Sequence, residues 1–537
     1  MKRHDIASFL LISILLALPA GYEPGHFAKA LFATSFIQSV AYGLVLTLLI
    51  RKSIWLRHSV VGFVFILFYL ESFLFFRFGS RFDPNILTLI LQTTGSETKE
   101  FASVYLTSPF TLLFLTIAIG FGTMMYHLLS DTRVVEWGKR YTKGWIPSVI
   151  ATMLLATGLL IQYLPLPCPV GKNTIHRLAE SIDFVVDRHH EIDMMKVAID
   201  SIVVNRPPHT EEAPIIVWVI GESFNKYHSS LYGYALPTSP CLDKELKSRN
   251  LTCYTHAMTP SSSTSDAMRY LFTLKDCEGE DSITLRPFVL APAVFKKAGY
   301  KVAYFDNQYT RSLGGSLDYS CGYFLNPTYI NEHCFDFRNT EILEYDGDFI
   351  NRYSADFLKS SQSLNIIHLK GQHFDAALRF PTEFSFFGPD DIKRADLDHK
   401  KRQQVADYDN ATLYNDHVIN LIINEFRDKS AILIYLSDHG EQIYDSKKHY
   451  YGRGFGTKHE EETIKAVYET PLLIWCSNSF ISKNKATYQA IRQSAKLPFC
   501  TADLAYLLFE LAGIDFNYHD KTRSVINSEF IPHKTRF

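Results

Sequence analysis

Long apolar runs crowd the first 165 residues of this chain, and the remainder reads as ordinary globular sequence. Five of these runs, at 6–22, 30–50, 60–76, 110–126 and 146–164, approach the roughly 20 apolar residues that a bilayer core requires. They predict an N-terminal α-helical membrane bundle of five spans. The first run follows Met1-Lys2-Arg3-His4 in the manner of a signal peptide, but four more spans come after it, which predicts a retained anchor. Basic residues give the orientation. Lys2 and Arg3, then Arg51, Lys52 and Arg57, then Arg133, Lys139, Arg140 and Lys143 fall on one side, which is expected to be cytoplasmic. Five spans starting inside place everything after Leu164 outside, in the periplasm of a two-membrane cell.

At 537 residues the chain is too long for one ordinary domain. Its net charge of -2 gives no bulk attraction for nucleic acid. Residues 83–103 carry Ile86, Leu87, Ile90 and Leu91 at helical spacing, which predicts a short helix, either lying at the outer interface or packed on the bundle as a loop helix. A second stripe (Ile175, Leu178, Ala179, Ile182, Val185, Val186) continues through Met194, Met195, Ala198, Ile199 and Ile202. It fits either a helix resting on the membrane surface or the first helix of the soluble fold. Pro207-Pro208-His209-Thr210-Glu211-Glu212 reads as a linker. The expected division is a membrane domain at 1–165, connecting helices and linker at 166–212, and a catalytic domain at 213–537.

From Ala213 onward strands and helices alternate, predicting an α/β domain with a central sheet. Strands are expected at 215–220, 301–305, 364–369, 431–436 and 472–475, and helices at 288–298, 404–426 and 502–511. Seven of the eight cysteines (Cys241, Cys253, Cys277, Cys321, Cys334, Cys476, Cys500) fall in this outer part, where disulfides persist. Cys241–Cys253, Cys321–Cys334 and Cys476–Cys500 are the candidate pairs. Thiolate metal ligation lacks any C-x-x-C spacing to support it.

Two strand ends carry the candidate chemistry. The apolar run 215–220 leads through Gly221 to Glu222, and the run 431–436 leads into Ser437-Asp438-His439-Gly440-Glu441. Both clusters are expected at the carboxyl edge of one sheet, where open α/β folds bind ligands. Glu222, Asp438 and His439 supply the oxygen and imidazole ligands that zinc accepts, with a position left for substrate.

These residues resemble a known family. Gly221–Ser223, Ser230–Tyr234, Thr238 and Pro240, together with Ser437–Glu441, are similar to the motifs of the membrane-bound phosphoethanolamine transferases of the alkaline phosphatase and sulfatase superfamily. Tyr408-Asp409-Asn410, Tyr414, Asp416 and Asp306-Asn307 extend the match. The resemblance covers the whole chain, and implies a zinc-activated threonine nucleophile. Alignment places it at Thr264, with Ser263 as the next register and Ser262 or Ser265 after that; metal coordination lowers a hydroxyl's pKa enough for attack on phosphorus. The C/S-x-P-x-R motif of sulfatases is missing near this position.

The resemblance further implies a histidine near the transferred group, His373, able to protonate a leaving oxygen or hold a second zinc. It implies another histidine ahead of Pro471–Trp475, for which His459 and His449 both qualify, His459 first. Glu441 is expected to support the site without binding metal. The implied reaction is a double displacement. Phosphatidylethanolamine gives its phosphoethanolamine to Thr264, and a lipopolysaccharide acceptor (lipid A, Kdo or a core sugar) then takes it. A phosphoglycerol transferase and a non-catalytic membrane sensor or scaffold are the alternatives. Asn225, standing where the family commonly has Arg, and Gln308, standing where it has a substrate-contacting Asn, depart from the pattern.

Overall fold

The computed structural model describes residues 3–19, 28–50, 53–78, 173–186, 188–206, 213–278, 285–309, 322–446, 450–453 and 460–533, with isolated positions between 82 and 123. The spans expected at 110–126 and 146–164, nearly all of the interfacial helix at 83–103, the linker at 207–212, Cys321, His449 and His459 lie outside the described residues.

Two compact units divide at Asp187/Arg188. In the first, helices run over Arg3–Ala17, Ala28–Ile50 and Ile54–Phe78. Among the described residues one stretch of 22 residues, Trp55–Phe76, is long and apolar enough to cross a membrane; Ser8–Ala17 and Ser35–Ile50 are shorter apolar helices. The amphipathic helix Thr174–Val186 returns to this unit. Its Thr174 and Arg177 both donate to Glu71, a carboxylate fully buried in the helix Ile54–Phe78.

In the second unit the helix Arg188–Ser201 turns Met195, Ala198 and Ile199 into the same core as Trp218 and Phe272. It is the first helix of the α/β unit, not a surface-lying one. The sheet has seven strands in the order Leu251–Tyr254, Leu472–Cys476, Ala431–Ser437, Ile215–Gly221, Ser363–His368, Lys301–Asp306 and Phe337–Arg338. Leu472–Cys476 is antiparallel to both of its neighbours, and the other pairs are parallel. The sheet is therefore mixed, with its parallel centre buried on both faces, as continuous apolar strands require. The two-residue period sends Ile216, Trp218 and Ile220 to one core and Ile215, Val217 and Val219 to the other.

The strand register brings the candidate residues to one edge. Gly221 pairs with Ser437 and Ile220 with both Leu436 and His368, so Glu222, Asp438 and Leu369 leave the sheet together. Gly221 is required there, because a Cβ would fall against the Tyr435 hydroxyl.

Candidate metal and nucleophile site

The four residues read from the sequence meet at this edge. Glu222, Asp438 and His439 are fully buried and their ligand atoms lie within 4.8 Å of one another. His439 Nε2 is 3.2 Å from Glu222 Oε1 and 3.1 Å from Asp438 Oδ2. Thr264 Oγ1 lies 3.2 Å from Glu222 Oε2 and 3.2 Å from His439 Nε2. Thr264 opens the helix Thr264–Phe272, with Ser263 as its N-cap, so its hydroxyl sits where the backbone N–H groups favour negative charge. Neighbouring hydroxyls are turned to other tasks: Ser261 Oγ accepts from the Ser263 amide, and Ser262 Oγ accepts from Tyr468.

The His439 ring is oriented by Nδ1–H, which donates to the Gly440 carbonyl at 2.9 Å and leaves the Nε2 lone pair facing the carboxylates. Burial and the Arg453 guanidinium push this imidazole below its usual pKa. Burial also raises both carboxyls, but His439, His373 and Arg453 outweigh it at Glu222, which is held well below the usual range. Asp438 is pushed well above its usual value by burial and by the negative Glu222. One carboxylate thus ionises at the expense of the other, the behaviour of two buried acids sharing a site.

That arrangement fits a divalent cation. Asp438 Oδ2 is buried without a hydrogen-bond donor, and it faces the same point as Glu222, the His439 lone pair and the Thr264 hydroxyl. Arg453 Nη1, donating to His439 Nε2 at 2.9 Å, shows that the cluster draws positive charge. Glu441 lies outside the ligand cluster; burial pushes its carboxyl up to about 7, and Oε2 is 3.6 Å from Arg453 Nε.

The surrounding hydrogen bonds explain residues that the sequence left open. Ser223 adopts a left-handed φ of 58°, and its amide donates to Asp438 Oδ1 at 3.2 Å. Tyr408 donates to the Ser223 carbonyl and accepts from the Asn225 amide. Asn225 caps the turn Lys226–His228 and donates through Nδ2 to the Glu441 carbonyl and to Asp445. Asp409 receives Tyr234 Oη at 2.7 Å and meets His228 Nδ1 at 2.7 Å, while Asp416 accepts from the Cys241 and Leu242 amides. The motif residues Tyr234, Tyr408, Asp409 and Asp416 therefore build the frame and do not join the ligand cluster.

His373 lies in the loop after the strand Ser363–His368, half-buried, with Nδ1 donating to the Phe374 carbonyl at 2.8 Å. Sequence reasoning named Gln308 only as a departure from the family pattern, and missed two further groups, His368 and Arg453. Gln308 Nε2 reaches Glu222 Oε2 at 3.3 Å and the Leu369 carbonyl at 2.8 Å. His368 is fully buried at its strand end, with Nδ1 bonded to Asp306 at 3.1 Å and Nε2 3.0 Å from Gln308. Arg453 reaches His439 Nε2 at 2.9 Å. His368 stood at a strand end beside two others, which was a usable signal, whereas Arg453 carried none.

The cysteine pairing needs correction. Cys241, Cys253, Cys334, Cys476 and Cys500 all carry free thiols. Cys476 points into the core from its strand, and Cys500 Sγ lies 3.4 Å from Cys277, a partner the spacing did not suggest.

The sulfatase family profile matches residues 214–514, and the chain belongs to that family. It is similar to the phosphoethanolamine transferase EptC of Escherichia coli strain RS218, with 26% identity over 482 residues, covering 84% of this chain and 79% of the relative. It is also similar to the zinc complex of the C-terminal periplasmic domain of EptC from Escherichia coli (TM-score 0.52, 26% identity, covering 62% of this chain and 90% of that one). The integral membrane lipooligosaccharide phosphoethanolamine transferase A of Neisseria meningitidis shares the fold over 97% of this chain and 96% of its own (TM-score 0.64, 16% identity).

Proposed function

We propose that this chain transfers phosphoethanolamine from phosphatidylethanolamine to a lipopolysaccharide acceptor through a phosphothreonine-type intermediate on Thr264. The observation that carries this reading is the placement of Thr264 Oγ1 at 3.2 Å from both Glu222 and His439 Nε2, at a helix N-terminus. Glu222, Asp438, His439 and the Thr264 oxygen would hold Zn2+, which would supply Lewis-acid charge and lower the hydroxyl's pKa.

The protein's own groups do the rest. Glu222, 3.2 Å from Thr264 Oγ1, accepts the hydroxyl proton as the oxygen attacks phosphorus. The bond from phosphorus to the diacylglycerol oxygen breaks, and His373 protonates that oxygen. The helix N-terminus at Thr264 stabilises the added negative charge of the phosphoryl group. In the second half an acceptor hydroxyl or phosphate oxygen gives its proton to His373 and attacks the same phosphorus, and Thr264 leaves with the proton held on Glu222, which returns both groups to their starting states. His459 is the further site histidine of this proposal.

The name of the relative EptC supports the transferred group. A five-span, multi-pass anchor in the bacterial inner membrane belongs to the same proposal. It places the catalytic domain, residues 213–537 with the helix Arg188–Ser201 packed under it, in the periplasm. Tethering that domain beside two lipid substrates raises the effective concentration of both.

Mass spectrometry of lipopolysaccharide from cells with and without the protein tests the reading. A phosphoethanolamine increment that depends on the protein is expected, lost in Thr264→Ala with metal content largely retained. A phosphoglycerol increment, or transfer continuing in Thr264→Ala, overturns it.

A further inference from the structure

Among the described residues a second group of metal-ligating side chains stands apart from the Glu222 cluster. Cys277, Cys500 and His533 bring their ligand atoms within 4.8 Å of one another. Cys277 Sγ lies 3.4 Å from Cys500 Sγ and 3.7 Å from His533 Nδ1. Tetrahedral zinc, with bonds of about 2.3 Å to sulfur and about 2.0 Å to nitrogen, sets its ligand atoms about 3.5–3.8 Å apart. These two separations come within about 0.4 Å of the edges of such a tetrahedron.

The imidazole is held as a ligand's would be. His533 Nε2 is 2.7 Å from Asp503 Oδ2, so Nε2–H donates to a carboxylate and the Nδ1 lone pair faces the thiols. Asp503 is itself fully buried, and its other oxygen accepts from Arg523 Nε at 2.5 Å. Arg523 also donates to Asp276 at 2.7 Å, beside Cys277. Glu278 Oε2, 3.3 Å from His533 Nδ1, offers an oxygen for a fourth position. Cys500 is nearly buried and Cys277 half-exposed, which leaves a path for an ion from solvent.

The placement gives the group a purpose. Cys500 pairs with Met258 in a short parallel strand, immediately before the stretch that leads to Thr264. Cys277 follows the end of the helix Thr264–Phe272. His533 comes from the far C-terminus. We propose that Cys277, Cys500 and His533 bind a thiophilic d10 cation of the zinc class, a structural site that staples both ends of the Thr264 segment to the C-terminal tail. This site is independent of the transferase reading, since it uses none of the residues assigned to transfer.

The test uses the full-length protein in detergent, reduced, stripped of metal and titrated with Co2+ alone. A thiolate-to-cobalt charge-transfer band in the near ultraviolet is expected, saturating at one equivalent. It should vanish in Cys277→Ser and Cys500→Ser and persist in Asp438→Asn, which separates it from the Glu222 site. Asp503→Asn should weaken Co2+ binding by about 10- to 100-fold. His533→Gln, in the tail, removes a ligand without entering the core, and should weaken the band if either serine variant fails to fold. Absence of a thiolate band from the folded wild-type protein overturns the proposal. So does recovery of Cys277 and Cys500 as a disulfide, two hydrogens lighter, from protein purified without reductant. Band intensity unchanged in His533→Gln and Asp503→Asn reduces His533 to an ion-pair partner of Asp503, which also overturns it.

Discussion

Asn225 Nδ2 donates to the Glu441 carbonyl at 3.0 Å, joining the turn after Glu222 to the turn after His439. The same side chain reaches Asp445 and caps the turn Lys226–His228, so the residue that departs from its family's arginine aligns the two halves of the ligand cluster. Asn225→Ala leaves the buried Glu441 carbonyl without its donor, at a cost of about 1–3 kcal/mol. Metal affinity should fall by about 10- to 100-fold through the loss of ligand orientation. Urea denaturation and metal analysis of the variant check both; wild-type values for both would refute the alignment role.

Gly221→Ala sets a methyl group against the Tyr435 hydroxyl. Overpacking at this strand end is expected to cost about 1–3 kcal/mol. Adding Tyr435→Phe removes the obstructing oxygen and should recover part of that loss, less the hydrogen bond Tyr435 accepts from Asn415. A double variant no more stable than Gly221→Ala alone would put the strain on the ring carbon Cζ, 2.7 Å from the added methyl, and not on the oxygen.

Stability should decline on the alkaline side. Burial acts to lower the His228 imidazole, but Asp409, and after it Asp445, outweigh burial and raise its pKa to about 10. Burial pushes the Asp409 carboxyl up despite the imidazole, so the alkaline limb is the one to measure. A group raised on folding stabilises fully below its unfolded value, here 6.5, and that contribution disappears as pH climbs through the folded value. The denaturation midpoint is therefore expected to fall between pH 7 and 10, and His228→Gln should flatten the fall. Identical slopes in the two proteins would exclude His228 as the cause.

Glu71 accepts from Thr174 and Arg177 while fully buried. Glu71→Ala removes the buried carboxylate to which Arg177 donates and should cost about 3–5 kcal/mol. Removing Arg177 as well takes away the charge that faced Glu71, so the two losses should fall short of additive. Thermal melting in detergent reads the cycle, and strictly additive losses would deny the coupling.

The sheet was legible where burial made it so. The strands Ile215–Gly221 and Ala431–Ser437 are apolar on both faces because both faces are covered, and their shortness sets them apart from a buried helix. The edge strands Leu251–Tyr254 and Phe337–Arg338 were not legible, being short and set among polar neighbours. Thr264 could be aligned but its helix could not be read, since the hydroxyl-rich stretch before it carries no apolar period. Arg453 and Gln308 reach the cluster only through tertiary approach. The nearness of Cys277 to Cys500 likewise depends on the pairing of Cys500 with Met258, which no spacing rule contains.

The register that sets Gly221 beside Ser437 also dictates when an ion can be captured. Glu222 leaves the ribosome long before Asp438 and His439, and alone it is a single carboxylate on an unpaired strand. Bringing the two strand ends together closes a long loop, whose entropy must be met before any contact between them stabilises the chain. Metal capture therefore belongs to the close of folding, after the central strand pair has formed.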